Sequence, residues 1–354
     1  MRSGEAPILI TGGAGFIGSN LADRLAGEGR EVLIYDALSR PGVERNLDWL
    51  RQRHGRRIAH IAGDVRDEDE LARAVTGASA VFHFAAQVAV TTSLVDPRED
   101  FDINVRGTMN LLDAVRVRAE PIPVIFASTN KVYGDLADIA LDAIHDRHEP
   151  RSYAARRGIN ESRALDFHTP YGCSKGAADQ YVLDYARSFR IPTAVLRMSC
   201  IYGQRQMGTE DQGWVAHFLI RAIEGRPITI YGDGCQVRDV LEVGDAVNAY
   251  VAALENIHRI SGHAFNLGGG PVNAISLLDL IDEIRTITRR DVELVREAWR
   301  QGDQRWFVAD TSAVRAALDL PAPLGWRDGI ARLAEWIAAE RGLQLQPELA
   351  SAAE

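Results

Sequence analysis

Only three of the 354 residues are cysteine: Cys173, Cys200 and Cys235. Their spacings fit neither a disulfide framework nor a zinc site. The sequence contains no apolar run long enough to span a bilayer, and its N-terminus does not read as a signal peptide. Positive charge is in deficit, with 40 Lys and Arg against 49 Asp and Glu and a formal net charge of −9. That balance argues against nonspecific nucleic-acid binding, although a nucleotide ligand can still meet local arginines. Internal repeats and low-complexity linkers are missing as well. These absences leave a globular protein expected in the cytoplasm. Its 46% hydrophobic and 25% charged residues are ordinary for that class. A chain of this length buries a large core and is expected to divide into two domains.

What the sequence does contain, up to about residue 196, is a regular alternation. Apolar runs at 8–10, 32–35, 58–62, 81–84, 124–127 and 193–197 read as strands. Amphipathic stretches at 19–26, 68–74, 105–117 and 176–190 read as helices. Alternation of this kind predicts an α/β fold with a doubly wound parallel sheet, whose ligands lie at the carboxyl ends of the strands. Beyond residue 197 the pattern changes to glycine-rich and polar segments with short helices, as expected of a smaller substrate domain. Within that part, VRDVLEV and GDAVNAYVAAL read as a strand and helix (236–258) returning to the large domain. The smaller domain then comprises 197–235 and 259–346, and 347–354 is expected to be a frayed tail. Residues 135–168 are rich in charge and poor in periodicity, which predicts a lid, a binding loop or a disordered excursion.

The N-terminal PILITGGAGFIGSNLADRL places Gly12, Gly15 and Gly18 between a strand and a helix, with Gly13 as a fourth glycine. In that context the glycines allow a tight turn, close approach of the backbone to a pyrophosphate, and packing of helix on strand. The anion then faces free N–H groups at the helix start, around Phe16 and Ile17. Asp36, at the end of the second strand, can accept from adenosine ribose hydroxyls and repels a 2′-phosphate, so NAD is favoured. Ser39 and Arg40 follow it, and Arg40 keeps NADP as a lesser alternative. Asp64 and Val65 end the third strand, where Asp64 could meet the adenine amine. Ala85, Ala86 and Gln87 end the fourth, where small residues let a flat cofactor lie close to the backbone. A strand end or a packing alanine is the plainer explanation of each.

Tyr171 and Lys175 are the ends of YGCSK, and positions i and i+4 of a helix share a face. A lysine ammonium favours the phenolate of a neighbouring tyrosine. Such a phenolate can take a proton from a substrate hydroxyl that Thr129, in the upstream run ASTNKVYG, holds in place. Thr169 is the expected N-cap of that helix and Pro170 its first residue.

The chain resembles the extended short-chain dehydrogenases/reductases of the nucleotide-sugar epimerase and dehydratase group. The resemblance runs from about residue 7 to 337 and rests on TGGAGFIG, HFAAQ, FDINVRGTMNLLDA, STNKVYG, YGCSK, LRMSCIYG, RDVLEVGD and FVADTSAV, in that order. Within the group it is most similar to the CDP-paratose 2-epimerases, also called CDP-tyvelose 2-epimerases. The segments carrying that closer likeness include DALSRPGVERNLDWL, QVAVTTS, LDFHTPYGCSKGAADQYVLDYAR, YGQRQMGTEDQGWV and DQRWFVAD. The resemblance implies a Rossmann NAD-binding domain over 1–196 and a nucleotide-sugar substrate. Tyr171 would be base and acid, Lys175 its electrostatic partner and a ligand of the nicotinamide ribose, and Thr129 the hydroxyl that orients the sugar. Asn104 would support the Tyr171 helix or a water beside it, and is counted with the cofactor site. On the substrate side stand Asn130 and Arg238, with Arg238 at the diphosphate and Arg305 as a second candidate. A surface ion pair of Arg238 with Asp239 or Asp245 is the alternative.

Asn130 and Lys131 stand where the dehydratases of the group carry two acids, so elimination of water is not expected. Cys200 stands where many C4-epimerases carry an asparagine. The implied reaction is oxidation to a transient keto sugar and return of hydride to its opposite face, at C2 of CDP-paratose. The alternatives are a C4-epimerase acting on a UDP-, ADP- or GDP-sugar and, from another class, a nonenzymatic NAD-sensing protein. The group is commonly dimeric or tetrameric, and 109–117 and 181–186 are candidate interface helices.

Overall fold

A computed structural model describes residues 6–343 and Leu345; the expected frayed tail at 347–354 lies outside the described residues. Seven parallel strands form the large sheet: β1 (Ile8–Thr11), β2 (Val32–Tyr35), β3 (Ile58–Ile61), β4 (Ala80–His83), β5 (Val124–Thr129), β6 (Thr193–Met198) and β7 (His263–Leu267). Their spatial order is β7-β6-β5-β4-β1-β2-β3, so the chain reverses direction across the sheet at β1 and β4. β1, β4 and β5 are buried along their whole length, as their continuous apolar character requires of strands covered on both faces.

On one face, α1 (Phe16–Gly27) packs with the helix Val43–His54. On the other lie Glu68–Thr76, α2 (Gly107–Arg116) and α3 (Thr169–Phe189). A single π-turn at Asp102–Arg106 precedes α2. α4 (Val243–Glu255) covers the first face, where Ala246, Ala249 and Tyr250 join the core of Ile8, Ile10 and Phe82.

The strand pairings depart from the expected domain boundaries. The strand expected to return to the large domain, Val237–Glu242, instead pairs with Cys200–Tyr202, Ala274–Ser276 and Trp306–Phe307 in a small sheet. Only α4 returns. Conversely β7, inside the stretch assigned to the substrate domain, pairs with β6 and forms the edge of the large sheet. Within residues 135–168 the structure shows an ordered hairpin (Leu141–Ile144 with Arg147–Pro150), and Leu136, Leu141 and Ile159 pack with Val237, Trp306 and Phe307, so the segment is not a disordered excursion. No helix among the described residues is long and apolar enough to cross a membrane.

Candidate active site

The carboxyl ends of β1, β4 and β5 open into a cleft of about 870 Å³ between the domains. Its floor is the glycine turn. Gly12 has φ +69°, and a Cβ there would lie 2.7 Å from the Ala85 amide nitrogen. On Gly18, a Cβ would lie 2.4 Å from the Gly12 carbonyl oxygen. Gly15 caps α1 with no side chain, and the first amides of the helix have no partners within it. Backbone donors at a helix N-terminus, in a cradle that side chains would fill, fit a dinucleotide pyrophosphate. Asp36 accepts from the amides of Ala14 (3.0 Å) and Leu38 (2.9 Å), which fixes its carboxylate at the cleft wall.

Arg40 bonds to Gln212 across the cleft and faces the charge of Asp36. It is therefore already engaged, which speaks against a site kept for a 2′-phosphate. Phe16, Ile17, Ser39, Asp64, Val65, Ala85 and Ala86 also line the cleft, and Asp64 is paired with Arg66 at 2.6 Å.

Two residues counted with the cofactor site do not line it. Asn104 is buried and turns inward, donating to Ser174 Oγ on α3 at 3.0 Å and to the Gln87 carbonyl at 3.0 Å. It thus supports the helix that carries Tyr171. The Gln87 amide points away as well, to Asp100 (2.8 Å) and the Ala89 carbonyl (2.9 Å).

Thr129, Tyr171 and Lys175 meet in the cleft. Thr129 is the last residue of β5 rather than one beyond it. α3 begins with a strained residue, Thr169, at φ +62° just before Pro170. The N-cap is His168, without a side-chain cap bond, and not Thr169 as expected; Thr169 is the first helical residue, and its hydroxyl accepts from the Gly172 amide at 3.3 Å. Tyr171 is 8% exposed and Lys175 4%. Without ligand, the expected ease of ionisation is not found. Burial pushes the Tyr171 hydroxyl up to about 12, against a hydrogen bond with Thr129 that favours the phenolate. Burial also lowers Lys175 to about 7, with the charges of Asp179 and Asp100 opposing. The Lys175 ammonium donates to the Ala127 carbonyl at 2.7 Å and lies 4.2 Å from the Phe126 ring centroid, contacts that hold the charged form but do not offset its burial.

Beside Thr129, the Asn130 amide donates to Gln304 at 3.0 Å. Arg238 lines the cleft, but its ion pair is with Asp303 at 2.7 Å and not with Asp239 or Asp245. Arg305 does not line the cleft; it is exposed, just before the strand Trp306–Phe307, with its guanidinium 5.3 Å from the Trp299 ring centroid. Arg300 takes that place instead, 3.7 Å from the Tyr231 ring centroid. The sequence reading missed Arg300, and it missed Lys131 as a cleft residue. One signal was available: of the 40 basic residues only Lys131 and Lys175 are lysines, and both line this cleft.

Residues 8–268 match the model of the family described as NAD dependent epimerase/dehydratase. A CDP-paratose 2-epimerase from Salmonella typhi is 43% identical over 339 residues, covering 94% of this chain and 99% of that protein. Among solved structures, a UDP-glucose 4-epimerase with UDP-glucose from Thermotoga maritima superposes with a TM-score of 0.81. It is 29% identical and covers 95% of this chain and 99% of that one. A UDP-glucuronic acid 4-epimerase from Bacillus cereus, in complex with UDP-glucuronic acid and NAD, also superposes with a TM-score of 0.81. It is 28% identical and covers 94% of this chain and 99% of its own.

Proposed function

The chain belongs to the NAD dependent epimerase/dehydratase family, and on that premise we propose that it inverts C2 of CDP-paratose to give CDP-tyvelose. The observation that carries this reading is the near full-length likeness to a CDP-paratose 2-epimerase, joined to a cleft in which Thr129, Tyr171 and Lys175 converge. Bound NAD supplies the hydride acceptor and donor. Tyr171 takes the proton of the sugar hydroxyl as its carbon becomes a ketone, and returns it once the keto sugar has presented its other face. Thr129 holds the hydroxyl, and the Lys175 ammonium stabilises the phenolate. Gly12, Gly15, Gly18 and Asp36 would hold the cofactor. Asn130 and Lys131 provide no carboxylic acid for elimination, which supports epimerisation over dehydration.

Proton NMR of the purified protein with CDP-paratose, and no added NAD, tests this. Conversion of the H1 and H2 couplings to those of the C2 epimer is expected. No conversion, with NAD found in the denatured protein, would discard CDP-paratose and leave the second reading. That reading is inversion at C4 of a UDP-, ADP- or GDP-sugar, favoured by the close superposition on two C4-epimerases.

The protein is further proposed to self-associate through α2 and α3. These helices lie side by side, with Tyr185 donating to Asp113 at 2.9 Å, and they leave Val117, Tyr181 and Phe189 exposed. Light scattering that gives only a monomer would exclude this. Three free thiols, Cys173 among them exposed, suit a reducing compartment and support the cytoplasm.

A further inference from the structure

The two lysines have the same peculiarity. Each ammonium rests on a backbone carbonyl, Lys175 on Ala127 and Lys131 on Gly302 (3.0 Å). Neither has a carboxylate within ion-pair distance among the described residues. Lys175 is buried and Lys131 half-buried in the cleft wall, and a cation partly withdrawn from water with no anion beside it loses solvation that nothing replaces. For Lys175 the missing anion is the Tyr171 phenolate, the form in which that residue takes the hydroxyl proton.

Lys131 has no such neighbour. It follows Thr129 and Asn130 at the sugar end of the cleft, and the charged and titratable groups facing it are Arg238, Asp303 and Cys200. Asp303 is committed to Arg238, whose positive charge adds to the burial that lowers Lys131 to about 8. The Cys200 thiol is itself pushed up by burial and so stays neutral. The Asp303 charge is shared with Arg238 and leaves Lys131 lowered, so a ligand that brings an anion would supply the countercharge.

We propose that Lys131 is a substrate-binding residue, whose ammonium contacts the phosphate of a nucleoside diphosphate at the end that bears the sugar. This rests on the nucleotide-sugar reading above. Its position between Thr129, which holds the sugar hydroxyl, and Arg238 puts it where sugar and diphosphate join. A phosphate there supplies the missing countercharge and occupies the ammonium protons that Gly302 leaves free.

A chain with two lysines permits a direct test. Holoenzyme labelled with 13C at lysine Cε gives two titrating signals, and Lys131→Met assigns them by removing one. Addition of saturating CDP, and separately UDP, should raise the Lys131 pKa by at least one unit. Lys131→Met should bind the same nucleotide about tenfold more weakly, by calorimetry, while keeping its NAD. Binding that leaves the Lys131 titration unmoved would overturn the inference alone. Binding of neither nucleotide would overturn the nucleotide-sugar reading and this inference with it. If Lys131→Met does not fold, Lys131→Arg assigns the signals equally well, and the shift in the native protein decides.

Discussion

Tyr171 and Lys175 illustrate how a reactive pair departs from its sequence expectation. The i, i+4 spacing placed both side chains on one face of α3, but charge state depends on burial and on the distant carboxylates Asp100 and Asp179, which no local pattern reveals. Tyr171→Phe should keep the fold and the retained NAD yet lower kcat by about 10²–10⁴-fold, the usual worth of a positioned acid–base group. Steady-state kinetics beside NAD content checks this. Lys175 also makes a stability prediction. Its folded pKa of about 7 lies below the unfolded 10.5, so between those values the unfolded chain holds the extra proton. Stability from this group therefore rises with pH across that window, and each unit of depression costs about 1.4 kcal/mol below it. In ligand-free protein, Lys175→Met should melt above wild type at pH 7, with the gap narrowing towards pH 10. A gap independent of pH would show that the ammonium carries no burial penalty.

At the scale of elements, the catalytic geometry depends on how β5 is fastened to α3. Asp179, one turn beyond Lys175 and fully buried, accepts from Ser128 Oγ at 2.8 Å and from Arg197 on β6 through two bonds of 2.9 Å. Arg197 donates on to Tyr133 at 3.0 Å, and Tyr133 to Asn266 on β7 at 2.8 Å. Asp179→Asn leaves a buried guanidinium without its counterion and should cost about 3–5 kcal/mol. Asp179→Leu with Arg197→Met together should cost less, and urea melts of the two variants decide. The order of these strands and helices was legible in the sequence, because fully buried strands and amphipathic helices write distinct periods. The Asp179 network was not, since its members come from four separate segments and look individually like ordinary polar residues. Asn104 braces α3, as the resemblance implied, but does not line the cofactor cleft with which it was also counted.

Across the whole molecule, what escaped the sequence was the stitching between domains, because a strand's sheet is chosen by distant partners. The six-residue strand Val237–Glu242 and the five-residue β7 carry equally good strand patterns, and only tertiary pairing sends them to opposite sheets. A second bridge follows from that arrangement. Residues 204–213 cross the cleft and are tied to the large domain by Asn20 and Asn46, whose amides donate to the carbonyls of Gln204 (3.0 Å) and Arg205 (3.3 Å). The Arg205 guanidinium lies 4.0 Å from the Trp49 ring centroid and 5.5 Å from that of Trp336. At the other end, Tyr231 donates to Glu210 at 2.7 Å and Arg300 to the Glu210 carbonyl at 2.9 Å. This segment lines the cleft beside Ser39 and Arg40, so its ties are expected to slow the release of a dinucleotide held there. A cation–π contact is worth roughly 0.5–2 kcal/mol, about 2–30-fold in a rate. Arg205→Ala should therefore release NAD faster by a factor in that range, followed as nucleotide lost from the protein after rapid gel filtration. Release at the wild-type rate would mean that the glycine turn and Asp36 alone retain the cofactor, and that the bridge serves only the substrate side.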